Sequence, residues 1–120
     1  MRFSFGVTKR DTILQGTLDV LVLKTLESMG PLHGFGIARR LEQVSADTIS
    51  LNPGTIYASV VRLEQRRMIS ASWGTSENNR RARYYAITAA GRKHLAEEAE
   101  RWGRVAGLVG RVLDLPSGTR

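Results

Sequence analysis

At Ile69 the spacing of apolar side chains changes from three-to-four residues to two, and at Thr88 it changes back. Ile69, Ala71 and Trp73 alternate with small polar residues, GTSENNRRA supplies a polar turn, and Tyr85 and Ile87 continue the alternation. One β-hairpin with a charged tip is predicted there, with Trp73 in its core. Most of the remaining apolar residues have helical spacing. The expected fold class is therefore mainly α with a small β-hairpin.

Thr12 and Gln15 have the spacing of a capping box, which predicts a first helix from Thr12 to about Met29. Leu14, Leu18, Leu21, Val22, Thr25 and Met29 share one face, and Ile13, Val20 and Leu23 lie opposite. A helix apolar on two sides is buried on two sides, and in a chain of 120 residues another copy could cover the second. Gly30-Pro31 ends this helix, and His33, as a turn or capping residue, leads into a short one with Ile37, Leu41 and Val44 at helical spacing. Ile49 to Leu51 reads as a brief strand. Asn52 can then cap a helix whose first position is Pro53, since the missing N–H of proline would be unpaired there anyway, and this helix runs to about Arg66. Thr88 caps a last helix to about Asp114. Its Leu95, Ala99, Trp102, Ala106, Val109 and Leu113 are spaced like a coiled-coil seam, which suits dimerisation.

The helix that begins after Asn52 has two unlike faces. Ile56, Val60 and Leu63 fall together and must face the core; Gly54, Thr55, Ala58, Arg62, Gln65 and Arg66 fall on the other side. Short residues there would let the backbone approach base edges, polar ones would read them, and arginines would reach guanine or phosphate, as a helix in the DNA major groove requires. The order helix, short helix, strand, helix, hairpin is that of a winged helix-turn-helix. Tyr57 lies at the flank, where its ring could pack on the core while its hydroxyl reaches a phosphate.

Charge follows the same map. The chain carries a formal net charge of +7 with 42% hydrophobic residues, so it can build a core and still attract a polyanion. From Gly54 to Lys93, Arg62, Arg66, Arg67, Arg80, Arg81, Arg83, Arg92 and Lys93 stand against Glu64 and Glu77, a net of +6 in one third of the chain. Arg80, Arg81 and Arg83 beside Asn78 and Asn79 suit backbone or minor-groove contact at the hairpin tip.

Other chemistries find little support. There is no cysteine, so a disulfide framework, a thiol nucleophile and a cysteine-based zinc site are excluded. His33 and His94 are far apart and stand in no arrangement that suggests metal binding or acid-base work. No nucleophile-base pair or phosphate-cradling glycine loop is present, and neither an enzyme activity nor a cofactor is expected. The segment MRFSFGVTKRD lacks a signal-peptide core, and LDVLVLKTL is interrupted by Asp19 and Lys24, so a cytoplasmic location without membrane insertion is expected.

Three blocks, LQGTLDVLVLKTLESMGPLHGFGIARRLE, LNPGTIYASVVRLEQRRMI and RARYYAITAAGRKHL, closely resemble in order and spacing the PadR-like family of bacterial transcriptional regulators. The resemblance covers most of Leu14 to Leu95 and implies a dimeric winged-helix repressor whose C-terminal helix packs against the N-terminal helix of its partner. It also implies a small hydrophobic or aromatic effector, sensed near the dimer interface, that relieves repression. Ala58 and Ala82 replace frequent family prolines, and Arg67 a frequent glycine, which bears on operator sequence and wing shape.

The expected organisation is a flexible arm over 1–10, a winged helix-turn-helix over 11–88, a dimerisation helix over 89–114 and a tail over 115–120. Expected DNA contacts are Asn52, Thr55, Tyr57, Arg62, Gln65, Arg66, Arg80, Arg81 and Arg83, on a roughly palindromic double-stranded operator. The expected homodimer interface is Leu18, Val20, Leu95, Ala99, Trp102, Ala106, Val109 and Leu113. Trp102 is either plain dimer packing or, meeting its own copy across a two-fold axis, a wall for a planar effector. Gly103, Gly107 and Gly110 leave equally open a weak, mobile helix end and a close helix approach or hinge. The rival function is a winged-helix module that binds an acidic protein through the same basic face.

Overall fold

The computed structural model describes the backbone of residues 9–46 and 51–118, and side chains from Gly16 onward within those ranges. Four helices, α1 (Lys9–Met29), α2 (Gly34–Val44), α3 (Pro53–Gln65) and α4 (Ala89–Leu113), accompany three short strands, β1 (Leu32–His33), β2 (Ile69–Thr75) and β3 (Arg81–Ile87). The strands form one antiparallel sheet in the order β1-β3-β2. The architecture is mainly helical with a small sheet, and the β2–β3 hairpin is the wing of a winged helix-turn-helix.

Two boundaries differ from expectation. Helix α1 begins at Lys9, so Thr12 lies inside it rather than at its cap, and Lys9 and Arg10 belong to the helix instead of the arm. The Thr12/Gln15 spacing is also that of neighbours on a helix surface, so it does not by itself mark a start. The first two residues of the strand expected at Ile49 to Leu51 lie outside the described residues, and Leu51 is not in a strand. Leu32–His33 forms a strand not expected from the sequence, pairing Leu32 with Tyr85 and His33 with Tyr84. Two residues are too few for an alternating pattern to be visible in sequence.

Helix α1 is the hub. It packs on α2, α3, α4 and β3, and its Val22 and Leu23 are fully buried although they point in different directions. On the second apolar side the chain's own elements bury Leu23 and partly bury Val20, while the Ile13 side chain lies outside the described ones. Ile37 and Leu41 of α2, Ile56, Val60 and Leu63 of α3, Ile69, Tyr85, Ile87 and Leu95 complete one core, each such side chain contributing about 1.5–3 kcal/mol of transfer free energy. Val44, expected on the α2 stripe, is exposed.

The α3-to-β2 turn closes with paired backbone bonds. Met68 N–H donates to the Leu63 carbonyl at 2.9 Å and Arg67 N–H to that of Glu64 at 3.0 Å, the pattern of a Schellman cap, in which the residue after the helix turns left-handed. That residue is Arg67, at φ 61°. The start of α4 is seated on the same turn. Thr88 donates through Oγ1 to the Arg67 carbonyl at 2.8 Å and accepts there from Gly91 N–H at 3.0 Å, while a Cβ on Gly91 would run into the Met68 carbonyl oxygen.

Two stability outcomes follow from this joint. Arg67→Gly removes the left-handed strain of a side-chain-bearing residue and is expected to raise stability by about 0.5–1 kcal/mol in urea unfolding. Gly91→Ala is expected to lower it by about 1–3 kcal/mol, because the carbonyl it meets is held by the turn.

Candidate nucleic-acid interface

Helix α3 is fixed at its start by Asn52, whose Oδ1 accepts from Gly54 N–H at 2.6 Å, with Pro53 in the first turn. Its inner face, Ile56, Ser59, Val60 and Leu63, is buried. Gly54, Ala58, Val61 and Gln65, at i, i+4, i+7 and i+11, form the outward ridge, with Gly54, Ala58 and Gln65 exposed and Val61 half-buried. This ridge is small at its start and carries no charge.

The two flanks of the ridge are tied down differently. Toward the wing, Tyr57 is 65% exposed, and Glu64 accepts from Arg83 Nη2 at 2.7 Å, joining α3 to β3. Toward α1, exposed Thr55 stands above Arg62, whose Nη2 and Nε donate to the two carboxylate oxygens of Asp19 at 2.7 and 3.2 Å. Arg62, expected to contact DNA, is therefore committed to an ion pair with a carboxylate that α1 buries. Arg66 is exposed near α4. There the Glu98 carboxyl is held below its usual range, chiefly by its hydrogen bond with Arg101 and in small part by the charges of His94 and Arg66.

The wing turn, 76–80, is closed by Ser76 N–H donating to the Arg80 carbonyl at 2.7 Å and by Asn79 N–H donating to Ser76 at 2.9 Å, with Asn79 left-handed. Arg81 lies 4.3 Å above the Trp73 ring, a cation–π pair on the diagonal of the hairpin. Trp73, expected in the hairpin core, is 60% exposed. Its face of the sheet is buried at Ile69 and leaves the body of the domain two pairs later, so alternation identifies the face but not how far the domain extends beneath it. The side chains of Arg80, Arg81 and Arg83 are all exposed or partly so, but only Arg80 has a guanidinium with no partner among the described residues.

Between the first turn of α2, the wing side of α3 and the hairpin lies an open groove of about 930 Å³, lined by His33, Phe35, Arg39, Tyr57, Glu77 and Arg83 among others. His33 caps α2, its Nδ1 accepting from Gly36 N–H at 3.0 Å. Its Nε2 stands 4.0 Å from Glu77 on the wing, and its ring lies 5.3 Å from that of Tyr84. Phe35, 70% exposed, and Arg39 are groove residues that local periodicity does not single out. The available signal was Phe35 itself, a large aromatic between two glycines and off the Ile37/Leu41 stripe.

The expected dimer residues divide. Leu18 and Leu95 are 6% and 5% exposed and belong to the chain's own core, and Val20 packs partly against it. Leu18 and Leu95 are buried within the one chain, because α1 and the first turns of α4 pack directly on each other. Beyond Leu95, no residue of α4 is buried. Ala99, Trp102, Ala106, Val109 and Leu113 are exposed, together with Val105, Leu108 and Val112. A small pocket of about 240 Å³ between α1 and α4 is lined by Gly16, Thr17, Arg101, Trp102 and Val105. Among the described residues no group of three or more His, Asp or Glu could hold a metal ion, and no helix is long and apolar enough to cross a membrane.

Comparison with known proteins bears on the whole arrangement. The chain is 38% identical over 90 residues to an uncharacterised 37.1 kDa protein in transposon Tn4556 of Streptomyces fradiae, a match covering 75% of this chain and 24% of that protein. Among solved structures, a PadR family transcriptional regulator from Eggerthella lenta is 26% identical with a TM-score of 0.72, covering 88% of this chain and 89% of that one. A PadR-like transcriptional regulator from Bacillus cereus is 24% identical with a TM-score of 0.74, covering 88% and 99%, a likeness of fold. Residues 22–97, more than half of the chain, match the model of the transcriptional regulator PadR-like family. The chain belongs to the PadR-like family of transcriptional regulators.

Proposed function

We propose that this protein is a homodimeric, sequence-specific DNA-binding repressor. Its two α3 helices enter successive major grooves of a roughly palindromic double-stranded operator, and its wings lie along the backbone or in the adjoining minor groove. The observation that carries this reading is the shape of the α3 surface: an uncharged ridge of exposed Gly54, Ala58 and Gln65 and half-buried Val61, beside a hairpin with exposed arginines. Thr55 and Gln65 read base edges, and Tyr57 bridges to a phosphate. Arg80 and Arg81 anchor the wing, Arg66 adds charge at the end of α3, and Arg83 holds the wing against Glu64. Asn52 acts first as the α3 cap, leaving its amide N–H groups for a phosphate.

The two functional parts are the DNA-binding unit, 11–88, and the dimerisation helix, 89–114, between short flanking segments. Dimerisation covers the apolar stripe of α4, where Trp102, Val105, Val109 and Val112 stand 42–54% exposed, since contiguous apolar exposure of this kind marks an interaction surface. A small hydrophobic or aromatic effector fits the pocket against Trp102, where it would alter the spacing of the two α3 helices and relieve repression. The reading assigns no catalysis and a cytoplasmic, nucleoid-associated location.

Fluorescence anisotropy with duplex DNA from upstream of its own coding sequence, with duplexes selected from a random pool and with scrambled DNA tests the function. A preference of at least about a hundredfold for one duplex is expected, within the range of specific over non-specific DNA binding. Arg80→Ala and Arg81→Ala should each reduce the slope of log K against log salt by about 0.9 for every phosphate that is no longer neutralised. Equal, salt-labile binding to every duplex would instead favour an acidic protein as the partner of this basic face.

The oligomeric state is tested separately by sedimentation equilibrium. A dimer is expected at micromolar concentration. Val109→Lys, which sets an unpaired charge in the proposed contact, should leave a folded monomer.

A further inference from the structure

Asp19 lies in the middle of α1 and is 7% exposed. Its Oδ1 accepts from Ser59 Oγ at 2.6 Å and from Arg62 Nη2 at 2.7 Å, and its Oδ2 accepts from Arg62 Nε at 3.2 Å. Ser59 is fully buried, and the Arg62 side chain is 31% exposed. One carboxylate thus holds two residues three apart on α3, which share one face of that helix.

Contacts of this kind constrain what apolar packing leaves loose. Ridges of Ile, Val and Leu set the distance between α1 and α3 but tolerate small rotations, whereas charge-assisted hydrogen bonds from a planar guanidinium are directional. Bonds to Ser59 and Arg62 together resist rotation of α3 about its own axis. They also draw the Arg62 guanidinium toward α1 and away from the ridge of Gly54, Ala58, Val61 and Gln65.

We propose that Asp19 is a positioning residue for DNA recognition: it sets the roll of α3 through Ser59 and Arg62, and it withholds the Arg62 charge from DNA. Selection among sequences then falls to the uncharged ridge. An arginine released at this flank would find phosphates, which attract it whatever the base sequence, so non-specific binding would rise at the expense of discrimination. The inference rests on the DNA-binding reading above.

The test compares the wild-type full-length chain with Asp19→Asn and with the double variant Asp19→Asn/Arg62→Gln, which replaces the ion pair by a neutral hydrogen-bonding pair. Each is measured on the preferred duplex and on scrambled DNA across a salt series, with circular dichroism melting to place the assay below every midpoint. Asp19→Asn is expected to bind scrambled DNA more tightly, to steepen its salt slope by about 0.9 and to lose about tenfold in preference, the size of one mismatched base pair. The double variant is expected to keep the wild-type salt slope and to recover most of the preference.

An unchanged preference and slope in Asp19→Asn would overturn the proposal. So would a double variant whose slope is shallower than wild type by about 0.9, because Arg62 would then have been contacting a phosphate all along. A wild-type protein with no preference for any duplex would instead remove the DNA-binding reading itself, and this inference with it.

Discussion

The fold depends on α1 being enclosed. Val22, Leu23 and Leu26 leave almost no surface in water, and elements on several sides of the helix are needed to achieve that. The helices α2 and α3, the strand β3 and the first turns of α4 are the elements that do it. Helix α1 is shared, packing on α4 along one side and on α3 along another. The proposed dimerisation helix α4 and the proposed recognition helix α3 therefore both pack on one helix.

Charge is distributed more sparingly over the surface than the composition implies. The net of +6 between Gly54 and Lys93 suggests a uniformly basic face, yet Arg62 is paired with Asp19, Arg83 with Glu64, and Arg81 rests on Trp73. Only the Asp19 pair is well shielded; the Arg83–Glu64 pair is partly exposed and is worth little as a stabilising contact. Its consequence is geometric, since it holds the hairpin beside α3. Removing one partner of the shielded pair would leave a charge in a poor solvent, at a cost of about 3–5 kcal/mol if burial were complete and less at the exposure of Arg62.

Legibility in the sequence tracked the distance over which each feature is decided. The capped start of α3 at Asn52 and Pro53, the inward stripe of Ile56, Val60 and Leu63, the hairpin and the Thr88 cap were all readable, because each depends on residues within a turn or two. Arg67 could be marked as unusual from its place in the family pattern, and its left-handed backbone gives the physical reason. The strand Leu32–His33 was not readable, since two residues carry no period and its partner lies some fifty residues away. The same holds for Arg62, whose role depends on an aspartate 43 residues earlier.

By itself, then, the sequence determined the four helices and the hairpin, their apolar faces, the small ridge of α3 and the basic character of the hairpin, all consequences of local periodicity and side-chain chemistry. Only the tertiary structure decided which of those surfaces remain in contact with water. It placed Leu18 and Leu95 in the core and left Trp73, Phe35 and the far half of α4 exposed. It also joined Arg62 to Asp19 and Arg83 to Glu64. Burial and ion pairing belong to pairs of elements brought together from distant parts of the chain, and no single element's pattern contains the distance between them.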